Sequence, residues 1–546
     1  MTTITRRSFL QNAGLLTAAG AAAAVFQQSS SAKAPAALPD HPNLLIIITD
    51  QERQITSDWP EEFKNLTALP GRKALADHGL TFTNHFCNSA MCSPSRATIF
   101  TGLYAPQHGV IHTLTYNGSA SASETSLSPA LPNLATVLQK AGYTVVLKGK
   151  WHLSKHSDGN PPDQADVAAF GFADWTPTTA GEATDPADFG GGCADNDLDT
   201  LNQALAFLER ADLPQPFCLV VGFANPHDVL AYPKLIEKEP NDPTAYKNSA
   251  DYNQGITALP HSFSNDNLST KPDCQKQSRD LYAVGLGTFI NDADRLKYLN
   301  FYAYLHKVVD SHIQTLLNKL NTRAVNSTKL IDSTIVVRMC DHGEMGLAHG
   351  GLRQKMFEAY EESIRVPYVI SNPVLFDGAY TNDSWVSSVD FLPTITSLLN
   401  VSRAGIPNLR GTDRSAIVRQ PNIVHEYDTI LYTFDDDQAG LENGMPMIAS
   451  VDQPNHIRCI RHKDAGGTWK YARYFDPTGS ADDQFEMYHL YDANGQPVDP
   501  YEEKNIANPA VTGYDAAKLS ELNAILDRMI ASRLGKNYTF VPQVQK

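Results

Sequence analysis

The chain has 546 residues, with 44 basic and 60 acidic side chains and a formal net charge of −16. This length exceeds what one hydrophobic core usually supports, so we expect two domains. The excess of acidic side chains argues against nucleic-acid binding. Seven cysteines are too few for a fold held together by disulfide bonds. An acidic protein that acts on anions must concentrate its lysine and arginine locally, which predicts a focused cationic pocket.

The first forty residues have the composition of an export segment. Arg6 and Arg7 precede an Ala/Leu-rich run at 13–26, an arrangement that resembles a twin-arginine (Tat) signal. The run is too short and too rich in alanine for a stable membrane span, and the Ser/Ala/Pro-rich residues 29–39 are typical of a linker. We therefore expect residues 1–40 to be a signal peptide and linker, the Tat translocase to be a partner, and the protein to be periplasmic or secreted.

Continuous apolar, β-branched runs follow along the chain, and runs of this kind predict strands buried on both faces of a largely parallel sheet. These strands are predicted at residues 43–49, 144–147, 217–223, 334–339 and 366–370. Helical patterns lie between them, for example at 201–208 and 296–320. The alternation predicts an α/β fold with helices on both faces of the sheet and functional residues at the carboxyl ends of strands.

Two of these strands are each followed by an aspartate and a second polar residue. Asp50 and Gln51 come after the first strand, and Asp341 and His342 follow the strand at 334–339. Oxygen ligands suit Ca²⁺ or Mg²⁺, so the two strand ends predict a divalent-cation site. A single Asp at a strand end is more often a helix cap or a turn former, so this prediction depends on the neighbouring motifs.

The stretch from Cys92 to Gly102 carries a thiol at Cys92, a rigid turn at Pro94 and a cation at Arg96. Pro94 disfavours helix for the residue before it, so we expect a helix to begin near Ser95, with Cys92 just before its N-terminus. Backbone N–H groups and the helix dipole favour anions there. A lone cysteine is usually a small buried hydrophobic side chain, so the triplet alone does not establish a function.

Further basic residues lie near the ends of other strands. Lys150 and His152 follow the strand at 144–147 and project to the same side if the chain is extended. His227 follows the strand at 217–223. Lysine supplies a point charge for an oxyanion, and histidine carries protons near neutral pH.

The C-terminal part changes character. Short aromatic, β-prone runs at 429–433, 456–461, 468–474 and 488–491 predict a small antiparallel sheet. An amphipathic helix is predicted at 516–534. We therefore expect a catalytic domain over 41–420 and a smaller α+β domain over 421–546, to which we assign no catalytic residue.

Several of these sequence stretches resemble motifs of the sulfatase family, which belongs to the alkaline phosphatase superfamily. Cys-Ser-Pro-Ser-Arg-Ala-Thr-Ile-Phe-Thr-Gly at 92–102 resembles the family signature, with Phe100 where Leu is usual. Gly-Lys-Trp-His-Leu at 149–153 resembles the second motif, and residues 354–367 resemble the stretch from the active-site lysine to an Arg-Val-Pro strand. The resemblance, which runs from about residue 43 to 505, implies a large mixed sheet sandwiched by helices.

The resemblance also implies a mechanism. Cys92 would be oxidised to formylglycine by a formylglycine-generating enzyme, and its hydrate would attack the sulfur of a small-molecule sulfate ester beside one bound Ca²⁺, with Mg²⁺ as the alternative ion. The implied catalytic residues are Cys92, Arg96, Lys150, His152, His227 and Lys355, and the implied metal ligands are Asp50, Gln51, Cys92, Asp341 and His342. The family usually has an Asp-Asp pair where this chain has Asp50-Gln51, so one negative charge is missing.

Two other functions stay open at this point. A phosphonate monoester or phosphodiester hydrolase of the same superfamily can share the formylglycine, and Asp-Gln pairs occur among such enzymes. A secreted, non-catalytic binding protein that keeps an unmodified Cys92 is the alternative from another class. The alcohol of the substrate, whether aryl, choline or carbohydrate, is not identified, because we expect the long loops at 154–193 and 230–294 to wall the pocket.

Overall fold

The structure is a computed structural model that describes residues 38–535 except 56–57, 117–119, 183–184, 193, 234–251, 405, 407–408, 425–427 and 441–450. The predicted signal peptide and nearly all of its linker therefore lie outside the described residues. Among the described residues, no helix has both the length and the apolar character that a bilayer span needs.

The strands are β1 (Asn43–Asp50), β2 (Gly79–Phe86), β3 (Thr144–Gly149), β4 (Phe217–Pro226), β5 (Ala324–Val325), β6 (Thr328–Lys329), β7 (Thr334–Cys340), β8 (Tyr368–Ser371), β9 (Ala379–Ser387), β10 (Thr429–Phe434), β11 (His456–Asp464), β12 (Gly467–Phe475) and β13 (Gln484–Asp492). The α-helices are α1 (Pro70–Asp77), α2 (Cys92–Thr101), α3 (Ala105–His108), α4 (Leu134–Lys140), α5 (Gln164–Ala168), α6 (Asn196–Glu209), α7 (Ser262–Asn265), α8 (Asp273–Leu286), α9 (Asp292–Thr322), α10 (Leu330–Ser333), α11 (Ala348–Gly351), α12 (Glu361–Ile364), α13 (Phe391–Leu398), α14 (Ser415–Arg419) and α15 (Ala516–Arg533).

The main sheet has, within the described ranges, seven strands in the order β3-β4-β1-β7-β8-β2-β9. Strand β1 pairs in parallel with β4 and β7, whereas β8 runs antiparallel to β7 and β2. The sheet is therefore mixed, which confirms the predicted fold class. Asp50 and Asp341 come to the same edge of the sheet because β1 and β7 are parallel neighbours.

The central strand β1 is buried along its whole length, and its side chains alternate between two cores. Leu44 and Ile46 pack into the cluster that includes residues of α2, α4 and α13. Leu45 and Ile47 pack into the cluster that includes residues of α6 and α9. A continuous apolar run is what a strand covered by helices on both faces requires.

The C-terminal sheet is antiparallel, in the order β10-β11-β12-β13, as predicted. Helix α15 lies against it through Leu522 and Leu526, which share a core with Leu431 and Tyr471. Both sheets belong to the unit that begins at Ala37. The boundary placed at residue 420 stays a prediction.

The structure corrects three local predictions. Helix α2 begins at Cys92 itself rather than near Ser95. The predicted loop at 230–294 contains α7, α8 and the start of α9, and the loop at 154–193 contains α5. Helix α8 was missed because much of it is polar and only one side is buried.

Candidate active site

Four side chains with ligand atoms meet at the carboxyl edge of the main sheet. Asp50 ends β1, Asp341 and His342 follow β7, and Cys92 opens α2. One ligand atom from each of these residues lies within 4.8 Å of the others, and all four residues are buried. The structure therefore brings together, from three separate parts of the chain, most of the predicted metal ligands.

The thiol of Cys92 lies among these acidic and basic groups. Its Sγ atom is 3.1 Å from Nε2 of His342 and 3.7 Å from Oδ1 of Asp50. Burial, reinforced by the charge of Asp50, raises the pKa of the Cys92 thiol to about 12. An unmodified Cys92 is therefore protonated at neutral pH and does not supply a thiolate nucleophile.

Two buried cations hold the carboxylates in place. Lys150 donates hydrogen bonds from Nζ to Oδ2 of Asp50 and to the carbonyl oxygen of Gly181. Arg96 donates from Nε to Oδ2 of Asp341 at 2.9 Å and from Nη1 to the carbonyl oxygen of Lys150 at 3.1 Å. Its Nη2 atom has no hydrogen-bond partner among the described residues and lies 3.8 Å from Asp50. The site therefore contains a buried cation with donor capacity to spare.

The opposite charges of Asp50 and Lys150 keep both side chains ionised in this buried cluster. Burial alone would raise the pKa of the Asp50 carboxyl, but the charge of Lys150, with that of Arg96, holds that pKa well below its usual range. Burial favours a neutral Lys150, but the carboxylate of Asp50 outweighs it and raises the pKa of the amine. Both groups are therefore ionised, and a buried ion pair of this kind tolerates the loss of neither partner.

Gln51 links a third cation to the site. Its Oε1 atom accepts a hydrogen bond from Nζ of Lys355 at 2.7 Å, and its Nε2 atom donates to Oε2 of Glu344 at 2.6 Å. The carboxylate of Glu344 also accepts from the hydroxyl of Tyr298 at 2.5 Å and from the backbone N–H of Gln354 at 3.0 Å. Glu344 therefore fixes which end of the Gln51 amide faces Lys355.

The two predicted histidines are buried beside the cluster. Nε2 of His152 donates to the carbonyl oxygen of Leu114 at 2.7 Å, which leaves Nδ1 as an acceptor with no hydrogen-bond partner in the part of the chain that the structure describes. His227 follows β4 at the point where Pro226 pairs in register with Asp50. Burial, together with the charge of Lys150, holds the pKa of each imidazole well below its usual value. Both rings are neutral in the free protein.

The donor set fits a hard divalent cation. Nδ1 of His342 lies 3.0 Å from the carbonyl oxygen of Gly343, a contact that assigns the proton to Nδ1 and leaves the Nε2 lone pair facing Asp50 and Asp341. Two buried carboxylates and one imidazole nitrogen would hold Ca²⁺ or Mg²⁺. The amide oxygen of Gln51 is bonded to Lys355, so it lies at the edge of this set.

Sequence reasoning missed two residues of the site. Glu344 stands three positions after Asp341, and an acidic residue so close to a strand end was a readable signal. Glu182 lies in an irregular loop next to the Gly181 carbonyl that binds Lys150, and no motif marks it. Burial raises the pKa of Glu182 to about 7. Its charge interacts with Lys150 and Arg96, so it adjoins the same cluster.

Two proteins of known structure share this fold. BT1596, a 2-O GAG sulfatase, superposes with a TM-score of 0.63 at 21% identity, covering 90% of this chain and 93% of that one. The phosphonate monoester hydrolase SpPMH from Silicibacter pomeroyi superposes with a TM-score of 0.61 at 19% identity, covering 90% of this chain and 96% of that one. The fold is therefore that of the alkaline phosphatase-like enzymes.

Sequence comparison defines the family. The choline-sulfatase of Rhizobium meliloti (strain 1021) is 26% identical over 517 residues, which cover 87% of this chain and 88% of that protein. The sulfatase family model matches residues 42–401, a range that contains every predicted catalytic and metal-binding residue. The chain therefore belongs to the sulfatase family and is a sulfuric ester hydrolase.

Proposed function

We propose that this protein hydrolyses a sulfate ester to an alcohol or phenol and inorganic sulfate, with a formylglycine derived from Cys92 as its nucleophilic residue. The observation that carries the proposal is the position of Cys92, at the N-terminus of α2 and within one buried cluster of carboxylates and cations. A neutral thiol is a poor nucleophile here, whereas a hydrated aldehyde presents two hydroxyl groups at the same point.

Three cations bind and orient the sulfate. Arg96 offers the unpartnered Nη2, Lys150 is hydrogen-bonded to Asp50, and Lys355 is hydrogen-bonded to Gln51. Fixed positive groups in a buried site stabilise the charge that develops on the sulfate oxygens and on the leaving oxygen. Because these cations are already held by hydrogen bonds, little reorganisation accompanies the reaction.

Two histidines and an aspartate move protons. We assign Asp341 as the base for the attacking hydroxyl, and the unpartnered Nδ1 of His152 as the acceptor of the proton from the second hydroxyl when sulfate leaves. We assign the protonation of the leaving alcohol to His227, assisted by Lys355. The negative charge of the bound ester favours the protonated form of His227, which is neutral in the free site.

Asp50, Asp341 and His342, with the side chain at position 92, would hold the divalent cation, and Gln51 borders the site. When bound, Ca²⁺ or Mg²⁺ supplies positive charge that favours an ionised hydroxyl and an anionic substrate. We further propose that a formylglycine-generating enzyme matures Cys92 and that the Tat route exports the protein to the periplasm or beyond.

A phosphonate monoester hydrolase is the second candidate. Gln51 in place of the usual second aspartate favours it, and so does the structural likeness to the enzyme from Silicibacter pomeroyi. The two functions differ in the reacting centre, which is sulfur in one ester and phosphorus in the other.

Rates on two chromogenic esters separate the candidates. Purified, matured protein is assayed with 4-nitrophenyl sulfate and 4-nitrophenyl phenylphosphonate, with the Cys92→Ala variant as the control for contaminating activity. We expect the higher kcat/KM on the sulfate ester. A higher kcat/KM on the phosphonate ester would assign the protein to the second function, and equal rates for wild type and Cys92→Ala would reject both.

A further inference from the structure

The residue that precedes Lys355 is a fully buried glutamine, Gln354. Its backbone has a φ of 68°, in the left-handed region that residues with a side chain rarely adopt. Two hydrogen bonds hold it there: its N–H donates to Oε1 of Glu344 at 3.0 Å, and its carbonyl oxygen accepts from the N–H of Met345 at 2.8 Å. Backbone strain that the surroundings hold in place is common at functional sites, where it fixes the direction of a side chain.

The oxygen end of the Gln354 side chain is directed at Lys355 and Gln51. Its Oε1 atom lies 3.4 Å from Nζ of Lys355 and accepts a hydrogen bond from Nε2 of Gln51 at 3.2 Å. Both neighbours present donors at these atoms, and an ammonium group has no acceptor, so the amide cannot be turned round. The contacts of Gln354 therefore decide which end of its amide is oxygen and which is nitrogen.

The nitrogen end of the same amide is a buried donor. Nε2 of Gln354 is inaccessible to solvent and has no hydrogen-bond partner among the described residues. It carries two N–H groups, and a buried donor without an acceptor is unfavourable because its hydration is lost without replacement. The large majority of buried side-chain donors in proteins are paired, which makes this one a candidate to meet a ligand. A bound oxyanion brings the acceptor atoms that such a donor needs.

The two neighbours of the Gln354 amide adjoin the reacting centre. The backbone N–H of Gln51 donates to Oδ1 of Asp341 at 3.3 Å, and the charge of Lys355 affects the ionisation of Cys92. Lys355 directs its N–H groups at two amide oxygens of the described residues, those of Gln51 and Gln354, so at least one of its three N–H groups is left for the ester. An oxyanion bound to Lys355 is therefore within reach of the Gln354 amide.

We propose that Gln354 is a further substrate-binding residue, whose Nε2 donates a hydrogen bond to an oxygen atom of the sulfate group beside Lys355. The proposal rests on the sulfatase function proposed above. The two ends of the amide then have separate roles, since Oε1 steadies Lys355 and Nε2 contacts the substrate. Gln354 adds a hydrogen bond to the sulfate without adding a fourth cation, so it fixes the orientation of the ester and leaves the charge balance of the site unchanged.

A complex with unreacted ester tests the contact directly. The Cys92→Ala variant, in which we expect no turnover, is crystallised with 4-nitrophenyl sulfate and Ca²⁺. We expect Nε2 of Gln354 to lie within about 3.2 Å of a sulfate oxygen. The proposal is overturned if Nε2 faces water or a protein acceptor and no sulfate oxygen lies within that distance, even if variants of Gln354 lose activity, because the residue would then only position Lys355.

Kinetics provide an independent test. Gln354→Met keeps the approximate length of the side chain and removes the amide. A hydrogen bond to a charged group corresponds to about a ten- to hundredfold change in kcat/KM, so we expect a decrease of this size on 4-nitrophenyl sulfate. Gln203→Met, at a half-buried position of α6, is the matched control and should keep wild-type kinetics. A kcat/KM for Gln354→Met within about twofold of wild type would contradict the proposal.

A second variant separates a loss of function from a loss of folding. Glycine adopts a φ of 68° without strain, so Gln354→Gly should melt no lower than Gln354→Met and should show a similar decrease in kcat/KM. Wild-type activity in Gln354→Gly would count against the proposal, whatever the stability of Gln354→Met.

The proposed function fails separately. If matured wild-type protein does not hydrolyse 4-nitrophenyl sulfate, the sulfatase proposal is wrong and the inference falls with it. If the wild type hydrolyses this ester and both variants of Gln354 are equally active, the sulfatase proposal stands and only the role of Gln354 is misassigned.

Discussion

The Nε2 atom of His342 lies 3.1 Å from the sulfur atom of Cys92. Because Nδ1 of the same ring faces the carbonyl oxygen of Gly343, the lone pair of Nε2 is directed towards residue 92 and the two carboxylates. The side chain at position 92 and the donor set for the cation are thus in direct contact. Changes at one of them should be measurable at the other.

Replacing Cys92 by Ala should abolish turnover and leave the fold intact. The side chain is small and buried, so its loss removes little packing, whereas the reaction loses its nucleophile. We expect kcat/KM on 4-nitrophenyl sulfate to fall by more than about 10⁴-fold, with an unchanged circular dichroism spectrum. Cys459→Ala, a buried cysteine of β11, is the matched control and should keep its activity.

Replacing Asp341 by Asn should remove divalent-cation binding. The wild-type protein, freed of metal with a chelator, is expected to gain thermal stability when Ca²⁺ is restored, by about 2.7 kcal/mol at one hundred times Kd. Asp341→Asn should show no such gain, because one of the two buried carboxylates of the site is lost. Asp377→Asn should respond like wild type. A Ca²⁺-dependent gain of wild-type size in Asp341→Asn would contradict the assigned site.

The hydrogen bond between Gln51 and Glu344 can be tested by exchange of the two side chains. Gln51→Glu places two carboxylates where an amide now donates at 2.6 Å, so we expect a loss of about 1–3 kcal/mol in the free energy of unfolding. The double variant Gln51→Glu, Glu344→Gln restores one donor and one acceptor and should recover part of that loss. Additive losses in the double variant would show that the two residues do not interact.

The pH dependence of stability should report on His349. Burial works against its charged form, but the hydrogen bond to Asp266 at 2.9 Å and the ion pair with Glu362 at 3.7 Å outweigh it and raise the pKa of His349 to about 10. Lys271, which pairs with Asp266 at 3.1 Å, opposes the shift only in part. The imidazole of an unfolded chain has a pKa of about 6.5.

Because the folded pKa is the higher one, protonated His349 stabilises the fold fully below about pH 6.5, and this contribution is lost as the pH rises through 10. The difference in melting temperature between wild type and His349→Gln should therefore be largest near pH 6 and shrink towards pH 10. The prediction fails if this difference stays constant or widens as the pH rises.

The strands that form the site were readable from sequence because both of their faces are buried. Strand β1 was predicted at 43–49 and is Asn43–Asp50, and β7 was predicted at 334–339 and is Thr334–Cys340. Strand β9, at the edge of the sheet, was missed because its exposed half is polar and breaks the apolar run. Strand β2 was missed for a similar reason, since polar residues interrupt it.

The contacts within the site were not readable. Sequence reasoning named Asp50, Lys150 and Lys355, but only the folded chain shows that Lys150 binds Asp50 across 100 positions and that Gln51, rather than a second carboxylate, receives Lys355. The role of Glu344 depends on the same long-range packing. Motifs report which residue types are present, whereas hydrogen bonds between distant strands depend on the topology of the sheet.

The aldehyde content of residue 92 tests the central claim most directly. Preparations matured to different extents are assayed for sulfate release from 4-nitrophenyl sulfate, and the fraction of aldehyde at position 92 is measured by peptide mass spectrometry on the same samples. We predict that turnover is proportional to this fraction and vanishes when the residue is a thiol. Full turnover by protein that carries an unmodified Cys92 would contradict the account.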